Sequence, residues 1–125
     1  MKRIIKTQNA PAAAGPYSQA VEINGILYIS GQVAIDPVTG KLIEGDISAQ
    51  VHRVMKNIEA VLQAAGYSFV EVVKSTVFLS NIADFKAMNE VYAQYYFENQ
   101  PARSAFAVKD LPLGALVEIE TVAAK

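Results

Sequence analysis

The chain has 125 residues, of which 52% are apolar and 18% charged. That is enough for one domain with a real core, and it excludes a disordered polypeptide. The net charge of −1 comes with no lysine- or arginine-rich run, so nothing in the sequence provides an electrostatic footprint for nucleic acid. The absence of cysteine excludes a disulfide framework, thiolate metal sites and a cysteine nucleophile.

The opening MKRIIKTQNAPAAAGPYSQA is charged and has no apolar stretch of signal-peptide length, and no segment reaches membrane-spanning length. The expectation is a soluble, cytoplasmic protein. A short strand near Arg3–Thr7 precedes the loop APAAAGP. Asn24-Gly25 then separates two apolar runs, a hairpin pattern that predicts strands at about Tyr17–Ile23 and Ile26–Val33. From Asp46 the period changes. Ile47, Val51, Val54, Met55, Ile58, Val61, Leu62 and Ala65 recur at three- and four-residue spacing, which marks a helix capped by Asp46 or Ser48 and ended by Gly66. FVEVVKSTVFLS (69–80) is too β-branched for a helix and reads as a long strand. Ser80 or Asn81 can cap a second helix with the stripe Ile82, Phe85, Met88, Val91, Tyr92, Tyr95 and Tyr96, which reads as core and stops before Pro101. Strands near Arg103–Val108 and Leu116–Ala123 complete a single α+β domain with one mixed sheet over 1–125.

Alternation along the long strand sets Val73, Val77 and Leu79 on one face and Val70, Val72 and Phe78 on the other, so both faces read as apolar. Helices are about 10 Å across, and two of them cover only one face of a sheet this wide. The other face therefore calls for further copies of the chain.

Some polar residues interrupt these patterns. Arg103 opens a strand, and an arginine's planar fork suits a carboxylate. Glu118 and Glu120 share one strand face, and either could hold a water or move a proton. Backbone N–H groups at Ser30-Gly31 could meet negative charge. Together these parts suit a small 2-oxo or 2-imino acid. Plainer readings stand beside them. Arg103 reads first as the partner of an internal carboxylate, and the two glutamates as a solvated face. Ser30-Gly31 can mark a bulge, Asn89 can brace its helix, and Tyr17 can simply pack. The single histidine, His52, flanks the first helix's stripe and reads as a surface residue. No metal site, nucleotide loop or dinucleotide fingerprint is present.

NAPAAAGPYSQAV (9–21), YISGQV (28–33), the stretch 76–97, and PARSAFAV with LVEIE (101–120) together resemble the RidA/YjgF family of reactive-intermediate deaminases, also called endoribonuclease L-PSP. The resemblance runs in order along nearly the whole chain. It implies a chorismate-mutase-like fold: a six-stranded mixed sheet with two helices on one face, assembled as a homotrimer around a central β-barrel, with the long strand lying next to both of the last two. It also implies cofactor-free hydrolysis of enamines and imines such as 2-aminoacrylate and 2-aminocrotonate to 2-oxo acids and ammonia, at sites between subunits. Carried over residue by residue, Arg103 would clamp the substrate carboxylate and Glu118 would position the attacking water. Tyr17, Ser30, Gly31 and Asn89 would shape or brace the pocket. Many members have Cys where this chain has Ala105, so a thiol is not essential at that position, and pocket size there can differ. A non-catalytic 2-oxo-acid-binding or regulatory protein is the second reading. A ribonuclease is the third, and the absence of a basic run speaks against it.

Overall fold

A computed structural model describes all 125 residues. In chain order the elements are β1 (Arg3–Ile5), β2 (Ala20–Ile23), β3 (Ile26–Gln32), α1 (Ile47–Ala65), β4 (Val72–Leu79), α2 (Phe85–Tyr95), β5 (Ala102–Ala107) and β6 (Val117–Ala124). They form one six-stranded sheet of order β1-β2-β3-β6-β4-β5, with both helices on one face. Only β4 and β5 run parallel. The long strand β4 lies between β5 and β6, as the resemblance implies, and β5 is a sheet edge. No helix is long and apolar enough to cross a membrane.

Local chemistry accounts for the boundaries. Asn24 and Gly25 both take positive φ (52° and 76°), the geometry that a two-residue hairpin turn demands. The Asp46 carboxylate accepts from the Ala49 amide at 3.0 Å, satisfying an orphan donor of α1, and Gly66 closes the helix in the left-handed region. The apolar stripe of α1 is buried against the sheet beside Leu27, Ile29, Val77, Val117 and Ile119.

Apart from shifts of one or two residues at strand ends, the structure departs from the sequence reading in four places. Tyr17 lies in a loop and not in β2, because the Gly15-Pro16 turn extends past it. Residues 69–71 form a 3-10 turn, so β4 begins at Val72. Asn81 caps a second short turn, Ile82–Asp84, and Ile82 is exposed there instead of joining the core stripe of α2. A register shift between Val72 and Lys74 interrupts the alternation of β4. Val72, Ser75, Val77 and Leu79 consequently face the helices, while Val73 is exposed.

The other face of the sheet has no covering element. Ile4, Tyr28 and Phe106 are exposed on it, and Phe78 and Phe106 meet edge to face. Polar residues share this face: Lys74, Thr76, Ser104, Glu118 and Glu120. It is less uniformly apolar than the alternation of β4 suggests.

Buried Asn57 on α1 fixes the chain beyond β3. Its amide donates to the Val33 and Ile35 carbonyls at 3.3 and 2.9 Å, and its oxygen accepts from Arg53. Asn57→Leu keeps the volume but removes the side-chain donor of the Ile35 carbonyl and leaves the Val33 carbonyl with the Ile35 amide alone, so it is expected to lower stability by about 1–3 kcal/mol. Urea unfolding at fixed protein concentration measures this loss; an unchanged midpoint would contradict it.

Candidate active site

Arg103 lies on β5 opposite Ser75 of β4, on the face that carries the helices. Its Nη1 donates to the Asn89 side-chain oxygen on α2 at 2.6 Å. The guanidinium also lies 4.9 Å from the Tyr92 ring centre and 5.6 Å from that of Phe85. The internal carboxylate expected for Arg103 is not there. The chain's two ion pairs are Arg3–Glu22 and Lys56–Glu59. A half-buried arginine is thus held by a neutral amide and two rings, with its charge unmatched. Ala105, two residues on, faces the helices as well, opposite Val77 at the rim of the core.

Glu118 lies on the opposite face. Its neighbours Val117 and Ile119 are fully buried under the helices, so alternation turns Glu118 and Glu120 outward. A bulge in β3 sets Ser30 and Gly31 together opposite Glu120, since Ile29 pairs with Thr121 and Gln32 with Ile119. Gly31 has ordinary φ, and its role is space: a Cβ there would collide with the Glu118 carboxylate and lie 2.9 Å from its Cδ. Glu118 thus packs directly against the Gly31 backbone. Ser30 Oγ donates to the Ser18 carbonyl at 2.7 Å, tying the Tyr17 loop to β3. Tyr17, Ser18, Tyr28, Ser30 and Glu120 line a depression of about 440 Å³ on this face.

Sequence reasoning missed Gln19, which is buried and stitches the APAAAGP loop. It accepts from the Thr7 amide at 2.7 Å and donates to the carbonyls of Thr7, Ala10 and Pro11. That loop ends at Tyr17, whose hydroxyl accepts from the Ala14 amide at 3.4 Å. Gln19 stands in a run that reads as strand, so only its polarity hinted at this role. His52, the only histidine, packs between the helices, with Nδ1 2.8 Å from the Tyr95 hydroxyl. No cluster of acidic or histidine side chains could hold a metal ion.

Within one chain the predicted residues therefore form two groups. Arg103, Asn89 and Ala105 stand at one edge on the helix side. Glu118, Gly31, Ser30 and Tyr17 stand on the open face. A family model, Endoribonuclease L-PSP, matches residues 7–125. The chain belongs to this family, that of the RidA/YjgF proteins. A RutC family protein of Pyrococcus horikoshii is 51% identical over 125 residues, covering 100% of this chain and 99% of the relative. Human 2-iminobutanoate/2-iminopropanoate deaminase is 47% identical over 123 residues, covering 98% of this chain and 90% of the human protein. Among solved structures, E. coli TdcF with bound serine superposes with a TM-score of 0.93 at 40% identity, with 98% of each chain covered. Family membership thus agrees with the sheet order.

Burial, and then the neighbouring Glu120, push the Glu118 carboxyl above the usual carboxylate range. Both causes favour the protonated acid, so Glu118 ionises at higher pH than an ordinary glutamate. Glu120→Gln removes the smaller cause. It should lower the Glu118 pKa while leaving burial's share in place, and NMR titration of carboxyl-labelled glutamate reads both. A Glu118 pKa that does not move in the variant would contradict this assignment.

Proposed function

We propose that the protein hydrolyses small enamine and imine acids, of the 2-aminoacrylate and 2-aminocrotonate class, to 2-oxo acids and ammonia. The observation that carries this reading is Arg103. It is a half-buried arginine at a sheet edge, oriented by Asn89 and with no carboxylate of its own chain to neutralise it. Such a group is built to receive a carboxylate from elsewhere. Close relatives named as 2-iminobutanoate/2-iminopropanoate deaminases support the same chemistry.

The two residue groups act together when the chain assembles as a homotrimer. The β5 edge of one copy, with Arg103, Asn89 and Ala105, meets the open face of the next, with Glu118, Gly31, Ser30 and Tyr17. The apolar part of that face supplies the area for association. The site then lies between subunits, in a cytoplasmic setting, and needs no cofactor.

Hydrolysis proceeds from the imine tautomer, CH3–C(=NH)–COO⁻ in the simplest case. Arg103 holds the carboxylate in two parallel hydrogen bonds, which fixes C2 before water arrives. Protonation of the nitrogen makes C2 electrophilic. Glu118 takes a proton from the attacking water as its oxygen bonds to C2, giving the carbinolamine. It returns that proton to nitrogen; as the C–N bond breaks, the carbinolamine hydroxyl gives its O–H proton to Glu118 and on to solvent, so C2 becomes the carbonyl of the 2-oxo acid and ammonia leaves. A pKa above the ordinary carboxylate value suits a group that must both accept and return a proton near neutral pH.

The test generates 2-aminocrotonate with a pyridoxal-dependent threonine dehydratase and follows 2-oxobutyrate release. The protein should accelerate release. Arg103→Ala should remove about 100-fold or more of the acceleration, and Glu118→Gln roughly 100-fold. Glu120→Gln should stay within about threefold. No acceleration by the parent protein would overturn the reading and leave a 2-oxo-acid-binding module in its place. Damage from Glu120→Gln in place of Glu118→Gln would move the proton-transfer role two residues along β6.

A further inference from the structure

Among the polar residues on the helix face of the sheet, one row lies at the β5 edge. Arg103 of β5, Ser75 of β4 and Thr121 of β6 are cross-strand neighbours that run inward from the sheet edge. Ser75 and Thr121 are buried, and their hydroxyls make no hydrogen bond within the protein. Tyr92 of α2 brings a buried phenol near Ser75, and Tyr96, just past the end of α2, packs beside Tyr92; neither phenol has a hydrogen-bond partner within the protein. The two rings are 4.7 Å apart. Burial raises the pKa of the Tyr92 phenol, while Ser75, near its hydroxyl but short of hydrogen-bond geometry, and the Arg103 charge lower it.

Four unpaired hydroxyls in a core are costly, and Ala, Val and Phe would fill the same space without that cost. Apolar packing does not explain the row. Its position does, since it ends at Arg103. The guanidinium rests over the face of Tyr92 and beside Phe85, while Asn89 fixes one nitrogen. Phe85, Asn89 and Tyr92 recur at four- and three-residue spacing and so form one stripe of α2.

We propose that Tyr92 is a positioning residue for Arg103: its ring face holds the guanidinium in the orientation that receives a carboxylate, and its hydroxyl turns into the buried Ser75–Thr121 row. Asn89 sets the guanidinium's rotation, and Tyr92 sets its height above the sheet. This inference rests on the reading of Arg103 as a carboxylate clamp. It adds a residue that touches neither substrate nor water.

The test compares Tyr92→Phe, which keeps the ring, with Tyr92→Met, which keeps most of the bulk without a ring. In protein labelled at arginine, the Arg103 Nε–H resonance (identified by its loss in Arg103→Lys) should carry an upfield ring-current shift. That shift should persist in Tyr92→Phe and fall sharply in Tyr92→Met, which leaves only the more distant Phe85 ring. Calorimetric titration with 2-oxobutyrate should show affinity weakened about tenfold in Tyr92→Met and within about threefold of the parent in Tyr92→Phe. In turnover the Tyr92→Met loss should fall on KM more than on kcat. Tyr92→Phe should melt close to the parent, because it keeps the ring and its packing. An Arg103 resonance unmoved by Tyr92→Met would overturn the proposal, as would equal 2-oxobutyrate affinity in Tyr92→Met and a binding-competent parent. If the parent neither binds 2-oxobutyrate nor turns over, the clamp reading has failed and this inference falls with it.

Discussion

Side chains alternate across a β-strand, and in this sheet the alternation separates charge from charge. Arg103 on β5 points to the helices, where Asn89 receives it at 2.6 Å. Glu118 on β6 points the other way, between two residues that are fully buried under the same helices. Strand β4 lies between these two strands and holds them in fixed register, Ser75 beside Arg103 and Phe78 beside Glu118. No side-chain rotation brings the two groups to one side. The organisation of the chain follows from that separation: an arginine with no internal carboxylate, a carboxyl raised by burial and by its neighbour, and two groups of residues held apart on opposite faces.

The covered face pays for this arrangement with polar groups that apolar packing would not choose. Tyr92, Ser75 and Thr121 carry buried hydroxyls without partners beneath the arginine. On the open face, the bulge at Ser30-Gly31 removes a side chain where the Glu118 carboxylate needs room. Buried Gln19 holds the loop that ends at Tyr17. Each feature costs local regularity, and each lies beside a residue of the proposed site.

Much of the fold could be read from the sequence because its signals were local. Asn24-Gly25 had one good conformation to adopt, and it adopted it. The period of α1 and its Asp46 cap left little choice. The failures were non-local. The shift at Val73 reversed the facing of Val72 and Val73, and no composition rule announces a bulge. Arg103 read first as half of an ion pair because sequence does not say which element lies over a strand. The α2 stripe read as plain core, yet Phe85 and Tyr92 from it cradle the arginine. The residue types of the site were visible, but their division between two faces was not, since it depends on the order β6-β4-β5.

The central claim is that Arg103 and Glu118 of one working site belong to different chains. Mixing two inactive variants tests it most directly. Arg103→Ala and Glu118→Gln are unfolded together, refolded as a mixture, and assayed for 2-oxobutyrate release from 2-aminocrotonate. In mixed assemblies some interfaces then pair an intact Arg103 with an intact Glu118 from the neighbouring chain. The account predicts that activity returns to a substantial fraction of the parent level. A mixture as inactive as its two components, with mixed assembly verified by mass, would contradict it.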